Sequence, residues 1–406
     1  MHKQMTVQTK KSETTIATFL VAGRCIGAGT LAIPISTGIA GFFPAILSTF
    51  LIWLFSMATG LLFLEAILAN PDGSNMISIT RRLIGRYGMI VTGASFFFMY
   101  YLILTIYFSW GVPIFISLFE QLTDIAITPW IGHTLFVIFF GSIVYFGIHI
   151  TGKLNFLFFV GLITTALILI FSSYPFVIAD HLKRHNWLYV SFAIPTLFGA
   201  LSYQNLLPSL STYLHRNYRT LRLTVIVGTT LPFLLYAIWQ WVMIGTLSEG
   251  TFWAAYETGA PTLQSAKLFA LTPRLHRVGD FFTLFAFITS LLTTGIAMVD
   301  FWGDGLRISA PRRVGLKRFI LCLLVFIPPL LFAQLYTQFS FNFFGFVEGF
   351  MHTIFIGFLP IWMAWLVRYH HRLPVPRLLP GGKPLLIALL VVAFYIIYFQ
   401  GIELIH

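Results

Sequence analysis

The sequence predicts an all-α polytopic membrane protein with eleven transmembrane helices, and three observations carry that expectation. The 406 residues are 58% hydrophobic and only 9% charged, where a soluble domain carries about 25% charged residues. The apolar residues gather into eleven long runs, each close to the roughly 20 residues that a helix needs to cross hydrocarbon. Eleven such spans take about 220 residues, which leaves connections and short surface helices and excludes a large soluble domain. Cys25 and Cys322 both sit inside apolar runs, the pattern of packing residues rather than of a disulfide framework or a metal cluster.

The runs cover approximately residues 15–35, 41–69, 89–119, 130–150, 154–178, 188–210, 223–247, 278–301, 319–335, 341–367 and 385–400. The first follows a basic tail (Lys3, Lys10, Lys11) in the manner of a secretory leader, but Gly and Pro break its apolar stretch and no small-residue cleavage site follows. It is expected to be a retained helix. Between the second and third runs, residues 76–87 (MISITRRLIGRY) mix apolar positions with three arginines and read as an amphipathic helix at the membrane interface. Residues 263–275 suggest a similar interfacial helix on the other side. Each reads better as a static interfacial helix than as a mobile gate.

Counting Lys and Arg on alternate sides tests this topology, because the positive-inside bias sets orientation. With the N-terminus inside, 19 of the 25 basic residues fall in cytoplasmic stretches, against five outside (Lys183, Arg184, Lys267, Arg274, Arg277). Arg24 alone remains within the membrane. The count predicts a cytoplasmic N-terminus and a periplasmic C-terminal tail, and it accounts for the net charge of +12 without a nucleic-acid partner.

An unpaired backbone amide in hydrocarbon costs several kcal/mol, so irregular backbone survives there only beside protein or a wet cavity. Helix interruptions are therefore candidate sites. The first run contains Gly23, Arg24, Cys25, Ile26, Gly27, Ala28, Gly29 and Thr30, followed by Pro34. Small residues at 27–29 leave amides approachable at the positive end of the outer half-helix, a geometry suited to a carboxylate. The alternative is a small-residue helix-packing face. The sixth run carries an equally polar interruption (Gly199 to Asn205) between Pro195 and Pro208. Five spans separate the two, so the second set of five enters from the opposite side. That is the arrangement of a five-plus-five inverted repeat (15–178 and 188–367, with 385–400 an additional helix) whose paired breaks form a central substrate site.

At these residues the chain resembles the hydroxy and aromatic amino acid permease family, the bacterial tyrosine and tryptophan proton symporters of the amino acid, polyamine and organocation superfamily. Three stretches carry the resemblance: GRCIGAGTLAIP (residues 23–34), AIPTLFGALSYQNLLPSL (193–210) and ITSLLTTGIAMVDFWGDGL (288–306). The resemblance implies uptake of an aromatic amino acid with a proton. It implies that the amides of Gly27, Ala28 and Gly29 hold the substrate carboxylate. Carbonyls around Gly23, Ala200 and Leu201 would accept from the ammonium group, and Ser202, Tyr203 and Gln204 would line the ring pocket. The chain departs from the family pattern at Arg24, where a small or hydroxylated residue is usual, and at Leu201 and Ser202, where an aromatic and a glycine are usual.

A charge at the bilayer centre costs about 2.5–3.5 kcal/mol on insertion scales, so each such residue is a functional candidate. Arg24 is expected to pair with Glu65, with direct substrate contact and snorkelling as alternatives. Glu348 and His352 lie four apart on one helix face and either share a proton or make a structural polar contact. Lys153, at the inner mouth of the fifth span, resembles a basic position of the family that faces the first helix; the plainer reading is a positive-inside anchor. Asp300 and Asp304 suit a gate or a helix end. Paired aspartates at a membrane surface also hold magnesium and a diphosphate, which makes a membrane-embedded transferase the best enzyme-class alternative. The hydroxyls of Thr289, Ser290, Thr293 and Thr294 suit a sodium site.

No GxxxxGK[ST], HExxH or GxSxG motif occurs. The expected function is a secondary transporter of the bacterial inner membrane that imports tyrosine, or failing that tryptophan, by proton symport with alternating access. It would need no metal, no prosthetic cofactor and no obligatory protein partner, with membrane lipid as its surroundings. Sodium coupling, another amino acid substrate, and a nutrient sensor built on a transporter fold are the alternatives.

Overall fold

The computed structural model describes residues 11–27, 29–257, 273–335 and 351–403. Among them there is no strand, only an isolated bridge between Gly41 and His185. Six helices among the described residues are long and apolar enough to cross a membrane: Phe42–Leu68, Arg86–Thr123, Ile148–Phe176, Tyr218–Thr246, Leu275–Gly305 and Gly315–Leu335. At about 1.5 Å per residue the shortest of these, 21 residues long, already matches a hydrocarbon core of roughly 30 Å. The Leu275–Gly305 span is buried over 89% of its most apolar stretch and the Ile148–Phe176 span over 33%. The first is therefore the axis of the bundle and the second its wall, whose outward Leu157, Val160 and Phe171 stay exposed. Such an apolar exterior suits hydrocarbon rather than water.

The expected breaks are present. One helix, Lys11–Cys25, ends at the glycine-rich stretch, and a second, Gly29–Gly38, begins beyond it. In the second case Ile194–Ala200 ends at Leu201, a single 3-10 turn covers Gln204–Leu206, and Leu207–Tyr213 resumes. Pro195 and Pro208 each occupy the first turn of their half-helix, where the missing N–H has no intrahelical acceptor to lose. Described from residue 351 onward, the tenth run carries two π-helical stretches, Thr353–Phe358 and Leu366–His370, around Leu359–Trp365.

The main boundary correction lies between the fourth and fifth runs. The turn is at Phe146 and Gly147, not at 151–153. Gly147 adopts φ +93°, which a glycine enters without the Cβ clash that other residues meet. Lys153 consequently sits inside the Ile148–Ser173 helix and is exposed. The interfacial helix is shorter than expected, Met76–Leu83. Asn75 caps it through its side chain, Ile79 and Leu83 are buried beneath, and Arg81 and Arg82 lie in its last turn, the favourable end of the helix dipole for cations. Residues 263–272 of the second interfacial helix lie outside the described residues, and its last three belong to the Pro273–Gly305 helix.

Loops segregate to two ends. At one, Arg216 donates to the Leu68 and Asn70 carbonyls, Arg313 to that of Gly73, and Arg318 to that of Val144; this is the basic end. At the other, Asn186 N–H donates to Ala40 O and Ile178 N–H to Gly245 O.

Candidate functional site

The two interruptions touch. A Cβ placed on Gly29 would lie 2.3 Å from Ala200 Cβ and 2.8 Å from its Cα, so only a glycine allows this approach. Around the first interruption the neighbours are polar. A Cβ on Gly27 would lie 1.9 Å from Ser290 Oγ, and one on Gly23 would lie 2.9 Å from Asn155 Nδ2 and 3.5 Å from Thr289 Cβ. The broken backbone thus runs between the Ile148–Ser173 and Pro273–Gly305 helices on one side and the second interruption on the other.

Hydrogen bonds fix both breaks from outside. Tyr236 Oη donates to the Cys25 carbonyl, which also accepts Gly27 N–H at 2.9 Å. Thr30 N–H donates to Gly27 O at 2.9 Å. At the second break, Ser56 Oγ donates to Leu201 O at 2.7 Å, and Tyr203 Oη to Ser56 O at 3.1 Å. Gln204 Nε2 donates to Ser56 O and Ser56 Oγ, both at 3.2 Å, while Gln204 Oε1 accepts Tyr203 N–H at 3.0 Å. Tyr203 and Gln204, expected to line a ring pocket, are here directed into the Phe42–Leu68 helix. Gly60 makes room for the phenol: its Cβ would lie 2.0 Å from Tyr203 Oη.

Arg24 is buried and donates through Nη2 to Ser202 Oγ at 3.0 Å, and Ser202 Oγ donates onward to Gly199 O at 2.7 Å. A residue of one break therefore bonds to a residue of the other. The expected Arg24–Glu65 pair is not formed. Glu65 instead holds Arg368 through two contacts of 2.7 Å and accepts Leu378 N–H at 2.7 Å. The reason is distance along the helix. Glu65 lies nine residues, roughly 13 Å, beyond the Ser56 that bonds the second break.

Asp300 and Asp304 have separate partners. Asp300 accepts Ser209 Oγ at 2.5 Å and Arg313 Nη1 at 3.0 Å. Asp304 accepts Ser78 N–H at 2.8 Å as well as Ser78 Oγ, and so holds the start of the Met76–Leu83 helix. Among the described residues no three His, Cys, Asp or Glu side chains gather at one point. His352 is buried, while Glu348, its expected partner, lies outside the described residues, as does Ala28. Lys153 is exposed, while Asn155, two residues on, donates to Phe19 O of the first helix at 3.4 Å.

Several buried polar atoms near the breaks have no protein partner. Thr289 and Thr293 return their hydroxyls to carbonyls of their own helix, but Ser290 Oγ and Thr294 Oγ1, on one face of that helix, have none. Asn155 Oδ1 has none either. Asn205, 3% exposed, has no partner for Oδ1 or for Nδ2. Its 3-10 turn packs against the Pro273–Gly305 helix. A buried polar group left unsatisfied costs about 1–3 kcal/mol, and two amides and two hydroxyls near the helix breaks are in that state. Sequence reading passed over Asn155 and named Asn205 only as the end of the polar interruption; their signal was an asparagine inside an apolar run.

Comparison with known proteins gives the family of the chain. Residues 10–400 match the tryptophan/tyrosine permease family. The chain is 30% identical over 397 residues to the tyrosine-specific transport system 1 of Haemophilus influenzae, covering 95% of this chain and 96% of that one. It is 26% identical over 378 residues to the tryptophan-specific transport protein of the same organism, covering 88% of each. With the low affinity tryptophan permease of Escherichia coli (strain K12) it shares 24% identity over 359 residues, 85% of this chain and 84% of that protein.

Proposed function

The chain belongs to the tryptophan/tyrosine permease family, and on that premise we propose that it imports an aromatic amino acid, tyrosine before tryptophan, by proton symport with alternating access. Family and relatives are transport proteins and not enzymes. The observation that carries the proposal is the contact of the two interruptions at Gly29 and Ala200, with partnerless buried polar groups around it.

In this reading the substrate carboxylate sits on the amides of Gly27, Ala28 and Gly29, at the positive end of the Gly29–Gly38 helix, where four N–H groups lack intrahelical acceptors. Gly27 N–H reaches it by leaving the Cys25 carbonyl, which keeps Tyr236 Oη as a donor. The ammonium group meets the carbonyls of Gly23, Ala200 and Leu201. That of Leu201 accepts Ser56 Oγ and retains a second lone pair. Ser202, Tyr203 and Gln204 border the ring. Asn205 supplies what those residues direct elsewhere. Its amide offers one donor and one acceptor, and a phenol hydroxyl matches both, whereas an indole N–H matches only the acceptor. That asymmetry supports tyrosine, since a site built to bond a hydroxyl discriminates against analogues that leave it unpaired.

Proton coupling falls to the buried His352 with Glu348, with Lys153 as the alternative carrier at the mouth. Ser290 Oγ and Thr294 Oγ1 are the groups on which a sodium ion would depend in the sodium-coupled alternative. The positive-inside count supports a cytoplasmic basic end and N-terminus, and the membrane in this reading is a bacterial inner membrane. The two sets of five spans and the additional helix follow the repeat described above.

The test is uptake of labelled tyrosine, tryptophan and phenylalanine into proteoliposomes under an imposed pH gradient or an imposed sodium gradient, for the native chain and for Gly27→Leu. Accumulation driven by the pH gradient, strongest for tyrosine and absent in the variant, is the expected result. Flux driven by sodium alone would replace the coupling ion. No flux with any of the three would overturn the substrate class and favour a sensor.

A further inference from the structure

At the basic end a cavity of about 260 Å3 lies beside the second half of the sixth run. Two of its lining residues, Ile296 and Asp300, lie six and ten residues beyond Ser290 on the same helix, roughly 9 and 15 Å along the axis. The cavity therefore stands between the central breaks and the basic face. Pockets for drug-sized ligands run to about 300–1,000 Å3, so this one suits a single smaller molecule.

Its lining carries two arginines and one carboxylate, and Glu13 stands 4.0 Å from the lining His215. Arg313 is paired with Asp300 at 3.0 Å. Arg318 has no carboxylate partner among the described residues: its Nη2 donates to Val144 O at 2.9 Å, and its Nε is buried without a partner. A guanidinium does not shed its charge, so the wall is complementary to an anion. Two further polar groups in the lining, Tyr213 Oη and Asn75 Nδ2, are also buried without a partner. The Tyr213 ring stands edge-on to His149 with centroids 4.8 Å apart, which adds an aromatic flank. Also in the lining, the Asp300 carboxylate accepts one bond at each oxygen and has lone pairs left for a cation. A cation with no carboxylate partner among the described residues, a carboxylate with spare acceptors and an aromatic flank are the complement of an aromatic zwitterion.

We propose that this cavity is a second, weaker binding site for the transported amino acid, with Arg318, Asn75 Nδ2 and Tyr213 Oη facing its carboxylate and Asp300 its ammonium group. Substrate leaving the breaks toward the basic face pauses there. The identity of the occupant rests on the function proposed above; the charge pattern of the cavity does not.

The test is equilibrium binding of labelled tyrosine to the full chain in nanodiscs of uncharged lipid, with uptake measured in parallel. The native chain is expected to bind two molecules at unequal affinity. Gly27→Leu should remove the tighter one and leave the weaker. Arg318→Gln should remove the weaker one and change the tighter affinity less than twofold, which also reports that the variant has folded. Arg318→Lys should retain part of the weaker binding, and Tyr213→Phe should weaken it about tenfold, the scale of one hydrogen bond to a charged group. One molecule per native chain with uptake intact would overturn the second site and leave the transport reading standing. A second site unaltered by Arg318→Gln, or one from which inorganic phosphate displaces tyrosine at equal concentration, would overturn it as well. Absence of both uptake and binding would overturn both readings.

Discussion

Asn205 is the residue whose chemistry is least used by the fold and most available to a guest. Both its amide atoms are buried and without a partner, so replacing it by an apolar residue of similar size removes an unsatisfied group rather than a bond. Asn205→Leu is therefore expected to keep or raise the thermal midpoint of the purified protein. Two hydrogen bonds to a phenol, at about 0.5–1.5 kcal/mol each, correspond to roughly a tenfold or greater loss of tyrosine affinity, with a smaller loss for tryptophan. Competition of the two amino acids for uptake measures this, and equal native-like affinity for tyrosine in the folded variant would remove Asn205 from the site. The sequence showed which residues were polar but not which way they face. Tyr203 and Gln204 were read as pocket residues on position alone, yet Ser56 sits where it accepts from both. Arg24 was matched with the nearest acidic residue in the apolar runs, and only the helical rise separates Glu65 from it. A partner 303 positions away, Arg368, leaves no local trace in a chain.

At the scale of elements, the interruptions were legible because glycine, proline and polar residues inside an apolar run have few physical explanations. Their mutual contact was inferred from spacing and becomes testable through Gly29. A methyl group there cannot fit beside an Ala200 Cβ 2.3 Å away, and both atoms belong to short side chains that cannot swing aside. Gly29→Ala is expected to abolish uptake while leaving the protein in the membrane. Ala200→Gly in the same chain should restore part of it, only part because Ala200 Cα would still lie 2.8 Å from the new methyl. Transport in Gly29→Ala at the native rate would mean that the two half-helices separate at no cost during the cycle. The misplaced turn at 151–153 has a plain cause. Lys153 reads as a loop residue by charge, whereas the backbone turns where Gly147 permits a positive φ. The short Glu249–Glu257 helix was not foreseen, since it lacks the length that makes an apolar run conspicuous.

Over the whole molecule, charge organises the ends. The alternating count of basic residues grouped the loops around 70, 216, 313 and 370, and the structure brings those loops into contact through Arg216, Arg313 and His371. At the opposite end Arg184 is partly buried, which lowers its pKa from the usual arginine value, against the weaker opposing pull of Glu249; the contact between them is 3.9 Å. The ties at the basic end cross between elements that the proposed alternating access would separate. Ser209 is the clearest case. It sits on Leu207–Tyr213, and its 2.5 Å bond to Asp300 joins that half-helix to the Pro273–Gly305 helix. A hydrogen bond to a charged group is worth about 1.5–3 kcal/mol. If the bond exists only while the basic end is closed, its loss shifts the population of the open state by roughly 10- to 100-fold. A cysteine at Ile296, 1% exposed and on the cavity wall, reads that population through its rate of labelling by a membrane-impermeant thiol reagent, because Cys25 and Cys322 are both buried. Ser209→Ala is expected to raise the labelling rate at least tenfold, and bound substrate should alter it in both backgrounds. Equal rates with and without Ser209 would mean that this bond persists through the cycle, and that the half-helix and the Pro273–Gly305 helix move as one body.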